Sequence, residues 1–477
     1  MDFNDDHFNG EKDILKNSNW LNRYQITSAM PHLEFPKLGT PTNMAVISAL
    51  TQMENSQWWS ADEIKEVQFT QLYQLIRHAI KTVPYYKELN VPKNAEDLQR
   101  IWHDIPILER GNIVGKSDDL VSLHPPRSHG KINTQYTSGS TGQPIGVKNT
   151  QLSRIFWRAF TTRDHIWHER DPNWKLGHIR VAKKGTAEYP GTVGQGWGAL
   201  KGKNALIETG PIAGLNINTR VEDQAEWLVR NDPDFLITYP SVIQKLAEYC
   251  SKNKIQPSNL KQVETISEVL TDKVRKLVYR AFGVKIVDLY STRELGYLGL
   301  QCPENNHYHV QSEGVYLEVV DDEGKPCPIG VPGKIVVTPL HNFVMPLVRY
   351  AVGDYGVMGE SCSCGRGLPV LKSILGRERN RLRQPDGQYR WIAISAKEYG
   401  ELLEIAPIRE YQIIQVSFEK LELNVAVYGE LSEQQFQKLS IWAKKALSFE
   451  GEVVVNCYAD LERAANGKLE LFKSLVE

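Results

Sequence analysis

The sequence predicts a layered α/β fold: a large N-terminal domain with a β-rich subdomain, then a small C-terminal α+β domain. Three features carry this expectation. β-rich runs such as DFLITY (234–239) and VKIVDLY (284–290) alternate with helical patterns such as SVIQKLAEYC and DKVRKLVYRAF, and that alternation belongs to α/β layers. From about residue 313 the texture turns to β, with GVYLEVVDDEGKPCPIG carrying a DDEG turn and GKIVVTPL following. After SILGRERNRLR the chain starts afresh with a QPDGQ turn, a helix, an alternating strand through Leu421, Leu423, Val425 and Val427, a second helix and the strand EVVVNCY.

Taken in order, the first strong element is helical. Leu72, Leu75, Ile76, Ala79, Ile80 and Val83 recur at i+3 and i+4, and Pro84 stops the pattern. QLSRIFWRAFTTRDHIW (151–167) reads as a further helix. The chain has 477 residues and 41% hydrophobic content, enough for more than one domain at roughly 100 to 200 residues each. Net charge is −1 without a long run of either sign, which argues against a nucleic-acid face or a polybasic membrane patch and for small-molecule partners. No apolar run reaches the ~18 residues of a membrane span, and the opening MDFNDDHFNGEKD carries no hydrophobic leader. A cytoplasmic protein, monomer or homodimer, is expected, and its six cysteines point to metal or burial rather than to a disulfide scaffold.

Residues 136–148 read YTSGSTGQPIGVK. Successive N–H groups in such a Gly/Ser/Thr turn form a concave anion site, small side chains let the backbone approach phosphate, and Lys148 adds a point charge. A flexible surface turn has the same composition. The stretch lacks Walker spacing, and the lookalike Gly115-Lys116-Ser117 has Arg110 where the first glycine belongs. Gly191, Gly194, Gly196 and Gly198 lack the dinucleotide spacing.

Four further stretches follow in order: YSTRELG (290–296), RYAVGD (349–354), GRERNRL (376–382) and NGKLELFKS (466–474). Together with TSGSTGQPIGVK they resemble the adenylate-forming superfamily of acyl-CoA synthetases, adenylation domains and luciferases, and they span residues 137 to 474. HPPRSHGKINTQYTSGSTG, CPENNHYHV, SCSCGRG and the compact C-terminus look most like the phenylacetate-CoA ligase branch. The resemblance implies that a carboxylic acid, aromatic or other, reacts with ATP to give an acyl-adenylate, which passes its acyl group to a nucleophile.

On that resemblance, Thr137, Ser138, Gly139, Ser140, Thr141 and Gly142 clamp the β- and γ-phosphates. Ser267, Glu268, Ser291 and Thr292 also fall in the ATP-binding set. Glu294 is the Mg²⁺ ligand, Tyr290 stacks on adenine, Asp354 accepts from both ribose hydroxyls, and Arg377 reaches the ribose. Arg349 and Tyr350 read alternatively as packing partners of Asp354. The family usually has Thr or Ser directly before its glutamate. Arg293 stands there instead, and either binds phosphate or points away.

Lys468 matches the late catalytic lysine that bridges the substrate carboxylate and the α-phosphate, and Arg379 falls at the hinge. The implied division is a large domain 1–377, a hinge 378–383 and a mobile small domain 384–477. The acyl pocket is expected near Tyr189, Gly194, Trp197, Tyr239 and Ser241, with Trp197 either an aromatic wall or core. Cys302, His309, Cys362 and Cys364 make a candidate structural zinc site, with His309 preferred to His307; free thiols in a turn are the alternative.

Three functions follow. The first is an ATP- and Mg²⁺-dependent acid–thiol ligase using CoA. The second is an enzyme with the same first half-reaction but an amine, a carrier thiol or AMP transfer as its outlet. The third is a silent relative that binds nucleotide, against which Glu294, Asp354 and Lys468 together argue.

Overall fold

The computed structural model describes residues 28–30, 32–33, 35, 37–113, 117–136, 146–183, 185–198, 207–377, 381–386, 389–391, 396–461, 469 and 471–476. A twelve-stranded sheet runs through the large part of the chain. Its doubly wound portion places Lys285–Thr292, Gln262–Thr265, Phe235–Thr238, Leu176–Arg180 and Pro211–Asn216 side by side, all parallel. Thr192–Gln195 closes that edge antiparallel. The other portion is antiparallel, in the order Val315–Val320, Pro332–Pro339, Tyr350–Met358, Val370–Arg377, Tyr308–Val310 and Gly296–Gln301. Gly296–Gln301 returns directly on Lys285–Thr292, and this pairing joins the two portions into one sheet.

The expected helices form with the expected faces. Ala61–Thr82 begins at a capping box in which Ser60 and Glu63 satisfy each other's backbone donors, and Pro84 follows its end. Its apolar stripe packs Phe69, Leu72, Ile76 and Ala79 against Leu340, Val344 and Leu347. Gln151–Trp167, Val221–Asn231, Pro240–Asn253 and Asp272–Phe282 cover the parallel portion, where Ala159, Leu228, Ile243, Leu246 and Val278 meet Leu215, Leu236, Val263 and Ile286.

The small domain is a four-stranded sheet in the order Glu452–Tyr458, Lys420–Val427, Ile408–Gln415 and Phe472–Ser474. Ala396–Ile405 and Glu433–Ala446 pack on it, the latter again opened by a capping box, Ser432 with Gln435. Leu421, Leu423, Val425, Tyr411, Ile413, Leu439 and Trp442 form its own core.

Candidate active site

The carboxyl ends of adjacent parallel strands are where an open α/β sheet gathers ligands. Here the strands ending at Thr238, Thr265 and Thr292 are neighbours. Tyr239 follows the first and caps the helix Pro240–Asn253, whose first-turn proline suits the N-terminus. After the second, Ser267 adopts φ +72° while the Glu268 N–H donates to the Ile266 carbonyl at 2.9 Å. This is the rare tight turn that a non-glycine residue enters only under strain. It aims Glu268 at the helix N-terminus, where its carboxylate accepts from Ser241 N at 2.9 Å and Ser241 Oγ at 3.1 Å.

The third strand end carries the densest charge. Tyr290 is buried and donates its hydroxyl to Asp354 Oδ2 at 2.7 Å. Asp354 pairs with Arg377 across the ladder, with Arg377 Nε 3.7 Å from Asp354 Oδ1. Burial, and then the Asp354 carboxylate, push the Tyr290 hydroxyl well above its ordinary pKa, so it remains a donor. Two residues after Tyr290, Thr292 Oγ1 accepts from Leu295 N at 3.1 Å and shapes the turn that holds Glu294. Burial raises the Glu294 carboxyl, while the Arg110 and Arg377 guanidiniums oppose it. A carboxylate held partly out of water next to Asp354 fits a divalent cation, which would restore its charged form.

Arg293 is exposed. Ser291 is half-buried on the same strand end. Arg349 does not pack on Asp354. It is buried against Glu318, 3.2 Å away, and donates to the Ile105 and Gly324 carbonyls. Tyr350 is buried and pushed up to about 12, chiefly by burial, with the Arg110 side chain as a hydrogen-bond partner. Arg110, which sequence reasoning used only to reject a Walker loop, therefore belongs to this site. Its signal was absent because it lies far from every motif in the chain.

Thr137, Ser138, Gly139, Ser140, Thr141 and Gly142 lie outside the described residues, as do Arg379 and Lys468. The strands bounding the phosphate-loop stretch pair as a hairpin, Asn133–Tyr136 with Gly146–Asn149. Lys148 Nζ stands 3.7 Å from Asp118 Oδ1. Leu469, directly after Lys468, donates its N–H to Glu268 Oε1 at 3.4 Å.

The expected acyl pocket divides. Tyr239 and Ser241 sit at the carboxyl ends of the strands, but Trp197 clusters with Leu176 and Phe235 at their amino ends. Its Nε1 donates to the Trp174 carbonyl at 2.6 Å and its ring meets His165 edge-on, so Trp197 is core rather than a pocket wall. Gly194 pairs with Ile212 on the exposed edge strand, also at the amino end. Tyr189 is 45% exposed and donates to Glu226 at 2.9 Å. A run of small residues flanking a tryptophan did not reveal that the indole's partners, Trp174 and Phe235, are distant in sequence.

Cys302, His309, Cys362 and Cys364 bring their ligand atoms within 4.8 Å of one another. Cys302 Sγ and Cys362 Sγ are 3.7 Å apart, close to the ~3.8 Å separating two thiolates on a tetrahedral zinc with bonds of about 2.3 Å. His309 Nε2 faces Cys364 Sγ at 3.3 Å while its Nδ1 lies 3.3 Å from the Leu368 carbonyl, which orients the ring as outer partners of zinc-binding histidines do. His307 Nε2 is also near, 3.1 Å from Cys362 Sγ. The donor set fits zinc.

No protein-family model matches the chain. A phenylacetate-coenzyme A ligase of Thermus thermophilus is 27% identical over 339 residues, 67% of this chain and 72% of that enzyme. One from Pseudomonas putida is 25% identical over 62% of this chain and 66% of its own length, just under two thirds. Among solved structures, 2-hydroxyisobutyryl-CoA ligase in its postadenylation state superposes with a TM-score of 0.65 at 19% identity, covering 88% of this chain and 91% of that one. The same ligase in its thioesterification state gives 0.54 over 88% and 92%. Ordered motifs, fold and curated relatives converge on one likeness: the chain is similar to the adenylate-forming superfamily, and within it to the phenylacetate-CoA ligases.

Proposed function

We propose that the chain activates a carboxylic acid with ATP and transfers the acyl group to CoA. One observation carries this reading: Tyr290, Asp354, Arg377 and Glu294 converge on one strand end, with Glu268 and the N–H next to Lys468 at a neighbouring one. In the first step a substrate carboxylate oxygen bonds to the α-phosphorus and pyrophosphate leaves. In the second the CoA sulfur bonds to the acyl carbon and AMP leaves. Both steps balance without an added oxidant or reductant.

Asp354 accepts from the ribose hydroxyls, Tyr290 presents its ring to adenine and fixes Asp354 through its hydroxyl, and Arg377 lies alongside. Glu294 would hold Mg²⁺, which when bound neutralises phosphate charge. The 137–142 loop cradles the β- and γ-phosphates through backbone N–H groups. Lys468 meets the charge that develops between carboxylate and α-phosphate. The division into residues 1–377, a hinge at 378–383 and a small domain 384–477 lets that lysine approach and withdraw. Cys302, His309, Cys362 and Cys364 would hold a zinc ion whose task is structural. The acid is a small molecule received near Tyr239 and Ser241, and the phenylacetate-coenzyme A ligases among the relatives favour an arylacetic acid as first substrate to try.

The test is pyrophosphate release from ATP over a panel of carboxylic acids headed by phenylacetate, with and without CoA. Acid-dependent release with matching CoA-thioester formation is expected. Release without CoA consumption would move the acceptor to an amine or carrier thiol, and no release with any acid would overturn the ligase reading.

A further inference from the structure

Glu410 is buried on the wrong face of its sheet. In the strand Ile408–Gln415, Ile408, Tyr411 and Ile413 enter the small domain's core, a register shift between Ile408 and Glu410 allowing the first to join. Glu410 is not among that core and points to the other side, yet its side chain is only 6% exposed. A carboxylate loses water unfavourably unless a partner replaces it. The partner is Lys245 of the large domain.

Lys245 is not isolated. Ser241, Lys245 and Lys252 stand at spacings of four and seven on the helix Pro240–Asn253, and so share one face. Ser241 holds Glu268, which accepts the Leu469 N–H. Lys252 Nζ lies over the Tyr428 ring, 5.6 Å from its centroid. Leu469 itself packs with Ala426 and Leu461, and Ala426 is the register partner of Glu410. One helix face of the large domain thus meets one sheet face of the small domain, beside the residue next to Lys468. The chain superposes better on the postadenylation state of 2-hydroxyisobutyryl-CoA ligase, with a TM-score of 0.65, than on its thioesterification state, with 0.54.

We propose that Lys245 and Glu410 are positioning residues that seat the small domain for adenylate formation and release it for thioester formation. The inference rests on the two-step ligase reading above. A contact that exists in only one arrangement biases the equilibrium by its free energy in that arrangement alone. Reversing one charge should therefore slow the first half-reaction and leave the second intact. A merely structural pair would depress both.

The experiment uses the full chain with Lys245→Glu, Glu410→Lys and the double variant. Acid-dependent ATP–pyrophosphate exchange reads the first half, and thioester formation from synthetic acyl-adenylate and CoA reads the second. Each single variant should lower exchange about tenfold, within the usual range of coupling between two states, and the double should regain most of it. Thioester formation should stay at or above the wild-type rate. Amide hydrogen exchange over 240–253 and 408–415 reads the seat independently of chemistry: faster in each single variant, restored in the double. Unchanged amide protection in the single variants, equal losses in both half-reactions, or no rescue by the double would overturn the proposal. A wild type that protects these peptides in the expected pattern but exchanges no pyrophosphate would overturn the ligase reading and leave the seat standing.

Discussion

The Arg349 guanidinium makes five hydrogen bonds inside the large domain, two to the Glu318 carboxylate and three to the carbonyls of His103, Ile105 and Gly324. Its place in the same motif suggested a packing partner for Asp354, but Arg349 precedes the strand Tyr350–Met358 at φ +50° and turns to Glu318, while Asp354 meets Tyr290. Arg349→Met should leave Glu318 buried with its main partner gone and His103 Nδ1 at 3.5 Å beside it, costing about 3–5 kcal/mol in chemical denaturation. Asp354→Ala acts differently. It removes the acceptor of the Tyr290 hydroxyl at a half-buried position, and the KM for ATP should rise roughly tenfold or more, the scale of one lost charge-assisted hydrogen bond. An unchanged KM would separate Asp354 from the ribose. Trp197→Ala should destabilise by about 3–5 kcal/mol, as emptying a tryptophan site in a core does, with no change in the order of preferred acids. A reordered acid preference would return Trp197 to the pocket.

At the scale of elements, local chemistry was legible and pairing was not. The helix 151–167 and the strand 452–458 have the limits that periodicity suggests, because an apolar stripe and an alternating β-branched run specify themselves. The union of a parallel and an antiparallel portion into one sheet was not legible. It depends on Gly296–Gln301 folding back on Lys285–Thr292, and on Tyr308–Val310 reaching Val370–Arg377 across sixty-odd residues of chain. The same two loops bring Cys302 and His309 to Cys362 and Cys364. Thiols and imidazole revealed the donor set, His309 included, from the sequence, whereas the His309 ring's second contact, to Leu368, is visible only in the fold. Purified protein prepared without chelator should carry about one zinc per chain, and Cys362→Ser should lower thermal stability more than it lowers the rate of the folded enzyme. Metal-free protein of full stability would reject the site.

At the scale of the molecule, the phosphate-loop stretch and Lys468 lie more than three hundred residues apart in the sequence, and on the proposed mechanism that cation reaches phosphate through the packing of two domains. Motif order made that dependence legible in the sequence. The seat of Lys245 on Glu410 was not legible, since neither residue lies in a motif and their meeting depends on two independently folded surfaces. Lys468→Ala should cost on the order of 10²–10³ in adenylate formation, as deleting one preorganised donor to a developing charge does, and far less in thioester formation from supplied acyl-adenylate.

The reaction itself is tested most directly by following oxygen. The acid that supports pyrophosphate release is supplied with both carboxylate oxygens as ¹⁸O, and the AMP formed with CoA is weighed by mass spectrometry. Attack of the carboxylate on the α-phosphorus leaves one ¹⁸O in each AMP. One carboxylate oxygen stays in the thioester, and unlabelled AMP, with the other found in inorganic phosphate, pyrophosphate or water, would contradict an acyl-adenylate.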